Sequence, residues 1–232
     1  MTARLLVLFD IDGTLLSATG ASRGALVDAL VAVYGTAGPI DSYDFSGKTD
    51  PQIVRELIEA AGQDPKKVAA GRQEALRLYR EHLEVRLRPT DVRAKPGVAP
   101  LLTRLRADAD VTLGLLTGNL EPCARVKLAP LDLNGFFPLG AFGSDHEERA
   151  RLPAVAVQRA HRATGHRFER KNVVVIGDSV HDVRCGDSLG VRSVAVATGK
   201  TPAARLAEER PDALLDDLSD TERALSAILG RP

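Results

Sequence analysis

The sequence predicts an α/β fold, a doubly wound parallel sheet carrying an inserted run of helices, and three observations predict it. Its main apolar runs, LLVLFDIDGT (5–14), VTLGLLTGN (111–119) and NVVVIGDSVHD (172–182), are continuous rather than alternating. Continuous runs indicate strands buried on both faces, as in a parallel sheet. Helical periodicity separates them, over 98–107, 120–131 and 152–163. Each run also stops at small, polar or acidic residues, so the acids, Thr117 and Asn119 all fall at carboxyl ends of strands. Open α/β sheets bind their ligands there.

The first run ends in Asp10 and Asp12, with only Ile11 between them. A strand running into a polar turn is the plainer alternative, since Asp-Gly is a common turn signal. Two carboxylates so close repel, and each is costly to desolvate without a compensating partner. Residues 17–93 then break the alternation: ASRGALVDALVAVYG, DPQIVRELIEAAG and PKKVAAGRQEALRLYREHLEVRL read as three or four amphipathic helices without a buried strand. The stretch DVRAKPGV (91–98) returns the chain to the sheet, punctuated by Pro96-Gly97. The expected division is a Rossmann-like core of 1–16 and 94–232 and a helical insert of 17–93. An insert placed directly after the first acidic loop would lie over that loop as a lid. VRSVAVATG (191–199) supplies a fourth strand and DALLDDL (212–218) a weaker fifth.

Composition narrows the function classes. The chain has 232 residues, 44% of them apolar and 27% charged, enough for a sizeable core. Lys plus Arg equals Asp plus Glu at 31 each, so there is no basic surplus of the kind nucleic-acid binders show. No apolar run approaches the roughly 18 residues of a membrane span. The start, MTARLLVLFDIDGTLL, resembles a signal peptide briefly before the acids interrupt it. Cys123 and Cys185 have no metal-type spacing and read as buried thiols of a reduced, cytoplasmic protein. Neither nucleic acid nor membrane is expected as a partner.

If the three strand ends meet, Asp10, Asp12, Asp178 and Asp182 crowd one pocket. A hard dication with oxygen ligands resolves that repulsion, and Mg²⁺ typically combines few carboxylates with waters and a phosphate. Thr117 and Asn119 add neutral hydrogen-bonding groups, and Gly118 permits close backbone approach. Such a pocket suits a phosphate attacked in line by a carboxylate, with the second acid handling a proton.

These residues resemble a known family. DIDGT is similar to the first motif, DxDGT, of the haloacid dehalogenase superfamily of phosphohydrolases. LLTGN is similar to its second motif, a hydrophobic strand ending in Thr or Ser, and GDSVHD to its fourth, GDxxxD. The order and spacing extend over nearly the whole chain. The resemblance implies Asp10 as the nucleophile that forms an aspartyl-phosphate and Asp12 as general acid and then base. It implies Mg²⁺ held by the Asp10 carboxylate, the Asp12 backbone carbonyl and Asp178, with Asp182 in support. Thr117 and the backbone of Gly118 and Asn119 would hold the phosphoryl group. The insert resembles the helical cap of the phosphoglycolate phosphatase and beta-phosphoglucomutase branch.

That branch carries Lys-Pro as its third motif, and here the equivalent stretch, SDHEERARLPAVAVQRA (144–160), has no lysine. Arg149 and Arg151 both lie just ahead of Pro153, which suits a helix's first turn. Residues two apart do not share a helix face, so one of them points inward. Helix spacing before Gly165 favours Arg151; the D-x-x-x-R pattern from Asp145 favours Arg149, to which the reading leans. Lys127 is a third candidate to deliver the missing lysine's charge, but in KLAPLDL the favoured reading is a lysine snorkelling from a surface helix. His181, between two site acids, is a candidate substrate contact, with a loop histidine the favoured reading, and Asp187 is read as a residue of the helix after the site in preference to a metal ligand. In FSGKTDPQIV (45–54), Thr49 or Asp50 caps a helix that Pro51 begins. The resemblance makes this loop substrate-facing, with Lys48 and Thr49 as contacts, a surface lysine being the equal alternative for Lys48.

The expected function is a Mg²⁺-dependent phosphatase of small phosphate monoesters, working as a monomer or small homo-oligomer on a phosphorylated metabolite. A phosphomutase reusing the same aspartyl-phosphate is the first rival. A dehalogenase would leave Asp12 and the acidic metal loop without a task, and a non-catalytic binding protein would have no use for the intact acids.

Overall fold

The computed structural model describes residues 4–18, 20–186 and 189–230. The first apolar run forms β1 (Leu5–Phe9), the second β4 (Val111–Leu116) and the third β6 (Val173–Gly177). With β5 (Leu139–Ala141), β7 (Arg192–Val196) and β8 (Ala213–Leu215) they make one six-stranded parallel sheet in the order β5-β4-β1-β6-β7-β8. β1 is buried throughout because its two faces meet two apolar layers. Leu5, Val7 and Phe9 join the cluster of Leu101, Leu105 and Phe137, while Leu6 and Leu8 join that of Leu152, Ala156 and Phe168. That double burial is the physical meaning of the unbroken Leu/Val runs. Of the six strands, β5 has no counterpart in the sequence reading. It is three residues long at the sheet edge, too short to declare a period.

Three helices between the strands fall near their expected places, α4 (Val98–Ala107), α5 (Glu121–Leu128) and α6 (Leu152–Thr164), while α7 (Val180–Cys185), α8 (Ala203–Glu208) and α9 (Thr221–Leu229) had no bounds in the sequence reading. A short antiparallel pair, β2 (Leu16–Ser17) and β3 (Arg93–Ala94), joins the chain where it leaves the sheet to where it returns. Between them lie α1 (Ala21–Tyr34), α2 (Asp50–Ala60) and α3 (Pro65–Arg86). These three helices share an apolar cluster that includes Leu26, Leu30, Val54, Leu57, Tyr79 and Leu83, and Cys123 of α5 enters the same cluster from the core side. Among the described residues, no helix is long and apolar enough to cross a membrane.

Parallel register decides which loops meet. Phe9 pairs with Leu115 on one side and with Ile176 on the other. Asp10 is therefore flanked at the same edge by the segments leading into Thr117 and Asp178. Asp187 lies outside the described residues.

Candidate active site

Asp10 follows β1 directly and is buried, with Asp178 and Asp182 beside it. One carboxylate oxygen from each of the three lies within 4.8 Å of the others. Arg149 is the buried cation that answers them. Its Nη2 donates to Asp10 Oδ1 at 2.9 Å, to Asp182 Oδ1 and to the Leu116 carbonyl at 3.3 Å. Burial opposes the charge on Arg149, but Asp182 and Asp10 outweigh it and hold the guanidinium above its usual range. Its Nε is buried and meets no acceptor among the described residues, which leaves one donor of the guanidinium unused.

Two of the carboxyls, Asp10 and Asp178, resist ionisation. Burial, and after it Asp182, push Asp10 up to about 7. Burial, and after it Asp10 and Asp182, push Asp178 up to about 8, although Thr14 Oγ1 donates to its Oδ1 at 2.9 Å. Asp182 is already engaged: Oδ1 takes Arg149, and Oδ2 takes the Ser179 backbone N–H and hydroxyl in the capping box that starts α7. The set is all oxygen, crowded and electrostatically unfavourable, which is what a hard divalent cation relieves. The loop that follows Asp12 closes tightly on it. Gly13 has φ +93°, and a Cβ there would lie 2.4 Å from Asp178 Oδ2, so only glycine fits.

Asp12 points away from this cluster. Its side chain is 42% exposed, and its Oδ2 accepts from Lys127 Nζ and from Asn119 Nδ2, each at 2.7 Å. Asn119 Nδ2 also reaches Thr117 Oγ1 at 2.8 Å, and Thr117 itself is fully buried. The two acids of DIDGT thus diverge, one toward Arg149 and one toward Lys127.

The helical segment rests on these loops. Thr49 caps α2 by accepting the Gln52 N–H, and its hydroxyl donates to the Glu147 carbonyl at 2.7 Å. The Asp50 N–H donates to the Gly118 carbonyl at 2.8 Å, and the Asp50 carboxylate accepts the Leu120 N–H at 2.7 Å. Burial raises Asp50 to about 6, against the pull of Lys127 and of that N–H. A Cβ on Gly118 would stand 2.0 Å from the Lys48 carbonyl oxygen, so this glycine permits the helical segment to approach the loop. Glu147 binds Arg55 and Arg72 of the helical segment, the second at 2.8 Å. Lys48 donates to Glu56 at 2.7 Å and lies 4.2 Å from the centre of the Tyr43 ring. Beside this junction, a cleft of about 280 Å³ opens between Asp44 and Ser46 on one side and Ser179, His181 and Lys200 on the other.

The strand-end acids, the Thr117 loop and the buried arginine all lie within one stretch of the chain, Asp10 to Asp182. The family model described as haloacid dehalogenase-like hydrolase matches residues 7–187, which spans all of them. The chain is a haloacid dehalogenase-like hydrolase. Among similar proteins, a phosphoglycolate phosphatase of Synechococcus elongatus is 25% identical over 228 residues, covering 96% of this chain and 98% of the relative. A phosphoglycolate phosphatase of Photorhabdus laumondii is 28% identical over 228 residues, covering 97% and 92%. In fold, this hydrolase is similar to the structure of a hydrolase from Pseudomonas syringae, with a TM-score of 0.69 at 17% identity and coverage of 97% and 99%.

Three readings of individual residues are corrected in this hydrolase. Arg151 stands outside the cluster: its side chain is 64% exposed and pairs with Glu148 at 2.9 Å. Residues 149–151 form a single 3-10 turn, in which a two-residue step sends Arg149 inward and Arg151 out. Lys127 is no surface lysine but 4% exposed, on the same face of α5 as the buried Cys123, Ala124 and Leu128. That helical spacing was the available signal: a lysine on the apolar face of a helix needs an anion. His181 lies in α7, exposed, with Cβ against the backbone of Gly47, rather than in a loop. The contacts of Asp50, Glu147 and Thr14 had no local signature, since each partner is distant in sequence.

Proposed function

We propose that this hydrolase is a Mg²⁺-dependent phosphatase of small phosphate monoesters, acting through an aspartyl-phosphate on Asp10. The observation that carries the reading is the convergence of the Asp10, Asp178 and Asp182 carboxylate oxygens within 4.8 Å at the strand ends, beside Thr117 and Arg149. The Asp10 carboxylate, the Asp12 backbone carbonyl and Asp178 would hold Mg²⁺, with Asp182 bracing the site through Ser179 and Arg149. When bound, Mg²⁺ would offset the charge shared by the phosphoryl group and its nucleophile.

The protein's own groups then have definite tasks. An Asp10 carboxylate oxygen forms the new P–O bond while the ester P–O bond opposite it breaks, and the Asp12 carboxyl gives its proton to the departing alkoxide. Thr117 Oγ1 and the N–H groups of Gly118 and Asn119 hold the phosphoryl oxygens. In the second half, Asp12 takes a proton from water as the water oxygen attacks phosphorus, which releases inorganic phosphate and restores Asp10. The helices of 17–93 act as the cap, their docking on the Gly118 loop keeping bulk water from the first step. Lys48 faces the rest of the substrate, exchanging Glu56 for a substrate anion, whereas Thr49, expected as a second contact, is fully buried with its hydroxyl engaged by Gln52 and Glu147 and holds the loop instead. A phosphorylated metabolite, a monomer or small homo-oligomer and a cytoplasmic setting complete the reading. The buried thiols of Cys123 and Cys185 suit a reducing compartment.

The test is a panel of phosphate monoesters, including 2-phosphoglycolate and a hexose 1-phosphate, with inorganic phosphate as the readout. Phosphate release that stops in EDTA and returns with Mg²⁺ is expected. Full release in EDTA would remove the metal from the reading, and conversion of the hexose phosphate to its isomer without free phosphate would replace hydrolysis by mutase chemistry.

The raised carboxyls also predict a pH dependence of stability. An acid whose folded value lies above its unfolded value of 3.8 holds protons in the native state that the unfolded chain releases. Chelator-treated protein therefore loses stability as pH rises through the window from about 4 to about 8. Mg²⁺ at a hundredfold excess over its Kd would add about 2.7 kcal/mol, a rise of several degrees in Tm. In EDTA, the Tm of the wild type is expected to fall between about pH 5.5 and pH 8 relative to that of Asp178→Asn, and only the wild type should show the full Mg²⁺ shift. Parallel pH profiles, or equal Mg²⁺ shifts in the two proteins, would contradict the assignment of Asp178.

A further inference from the structure

Lys127 is a buried cation for which the reaction as described has no use. Its ammonium donates to Asp12 Oδ2 at 2.7 Å and to Asn119 Oδ1 at 2.6 Å. Asn119 in turn donates to the same Asp12 oxygen at 2.7 Å, so lysine, amide and carboxylate close a triangle. Burial disfavours the charge on Lys127, yet Asp12 and the cap residue Asp50 overcome this and keep it above its ordinary value. Both donors converge on Oδ2, while Oδ1 of Asp12 accepts no hydrogen bond among the described residues. A half-exposed carboxylate otherwise has free rotation about its last bond. Here one oxygen is tethered by two donors and the other has no donor among the described residues.

We propose that Lys127, with Asn119, is a positioning residue for Asp12, holding its carboxyl so that Oδ1 faces the leaving-group oxygen. This rests on the role given to Asp12 under the proposed phosphatase chemistry. Lys127 does not touch the phosphoryl group, whose cationic partner from this chain is Arg149. Its loss removes contacts to Asp12 and to the Asn119 side chain and, among the described residues, none to Asp10, Arg149 or Asp178, so its main effect falls on the proton given to the leaving group.

That distinction has a kinetic signature. An alkyl phosphate expels a strongly basic alkoxide and needs the proton, whereas p-nitrophenyl phosphate expels a stable phenolate and does not. kcat/KM reports the steps through leaving-group departure, which isolates Asp12's acid role from its later role as base. A positioned general acid contributes typically 10²–10⁴-fold, so partial misplacement is expected to cost about tenfold or more on the substrate that needs it.

The experiment compares kcat/KM for 2-phosphoglycolate and p-nitrophenyl phosphate in saturating Mg²⁺, in wild type, Lys127→Met and Asp12→Asn. Both variants are expected to lose at least about tenfold more on the alkyl ester than on the aryl ester. The ratio within one preparation cancels any loss of folded protein. Should Lys127→Met fail to fold, Lys127→Arg keeps the cation but moves the donors, and the same selective loss, smaller in size, is expected. Equal losses on both esters would mean that Lys127 supports the fold or meets the phosphoryl group, and unchanged rates would make it a bystander; either overturns the proposal. If Asp12→Asn itself shows no selectivity, the acid role of Asp12 fails; if it does and the lysine variants do not, only the role of Lys127 fails.

Discussion

Asp10→Asn is expected to fold and to lose at least about 10³-fold in kcat. An amide oxygen is a poor nucleophile, and no neighbouring group can replace an acyl-phosphate linkage made by Asp10 itself. The fold should survive because burial and Asp182 already work against the charge that the substitution deletes. Arg149 keeps Asp182 and the Leu116 carbonyl as partners after the change. Release of inorganic phosphate, beside a thermal melt of the same preparation, separates chemistry from folding. A well-folded Asp10→Asn protein that keeps more than about a tenth of wild-type kcat would remove Asp10 from the nucleophile's role.

Arg149→Met is expected to be the most damaging single change to stability at the site, whatever its effect on turnover. Arg149 is buried between Asp10 and Asp182, and removing it leaves two buried carboxylates facing each other. Breaking a buried pair in this way typically costs about 3–5 kcal/mol. In a protein of this size that lowers Tm by roughly 6–20 °C. Arg151→Met is the matched control, two residues away in the same turn. Its side chain is largely exposed and its partner is the equally exposed Glu148. Water and salt screen such a pair, so a change of about one degree is expected. Melting curves of the two variants, recorded together in EDTA, read the difference. Similar losses in both would show that the inward and outward assignments are wrong.

The contrast between these arginines marks how far the sequence reaches. Local pattern determined five of the six sheet strands and the longer helices, because double burial leaves an unbroken Leu/Val run and a packed helix leaves a period of 3.6, but not the three-residue β5. The same runs placed Asp10, Thr117 and Asp178 at strand ends, and parallel pairing carries strand ends to one edge of the sheet. Hence most of the acidic cluster and the family were legible before any coordinates. Helical spacing even held a clue to Lys127, on the buried face of α5 with Cys123 and Leu128. What it could not supply was the partner, Asp12, 115 residues earlier. The choice between Arg149 and Arg151 turned on a single 3-10 turn, shorter than any period can register. The docking of Asp50 on the Gly118 loop and of Arg55 and Arg72 on Glu147 turned on how two separately packed layers meet. Periodicity records which side of an element is buried; it does not record what lies opposite. Only the tertiary structure decides that, because charge pairing and close backbone approach depend on distances between segments that the chain itself keeps far apart.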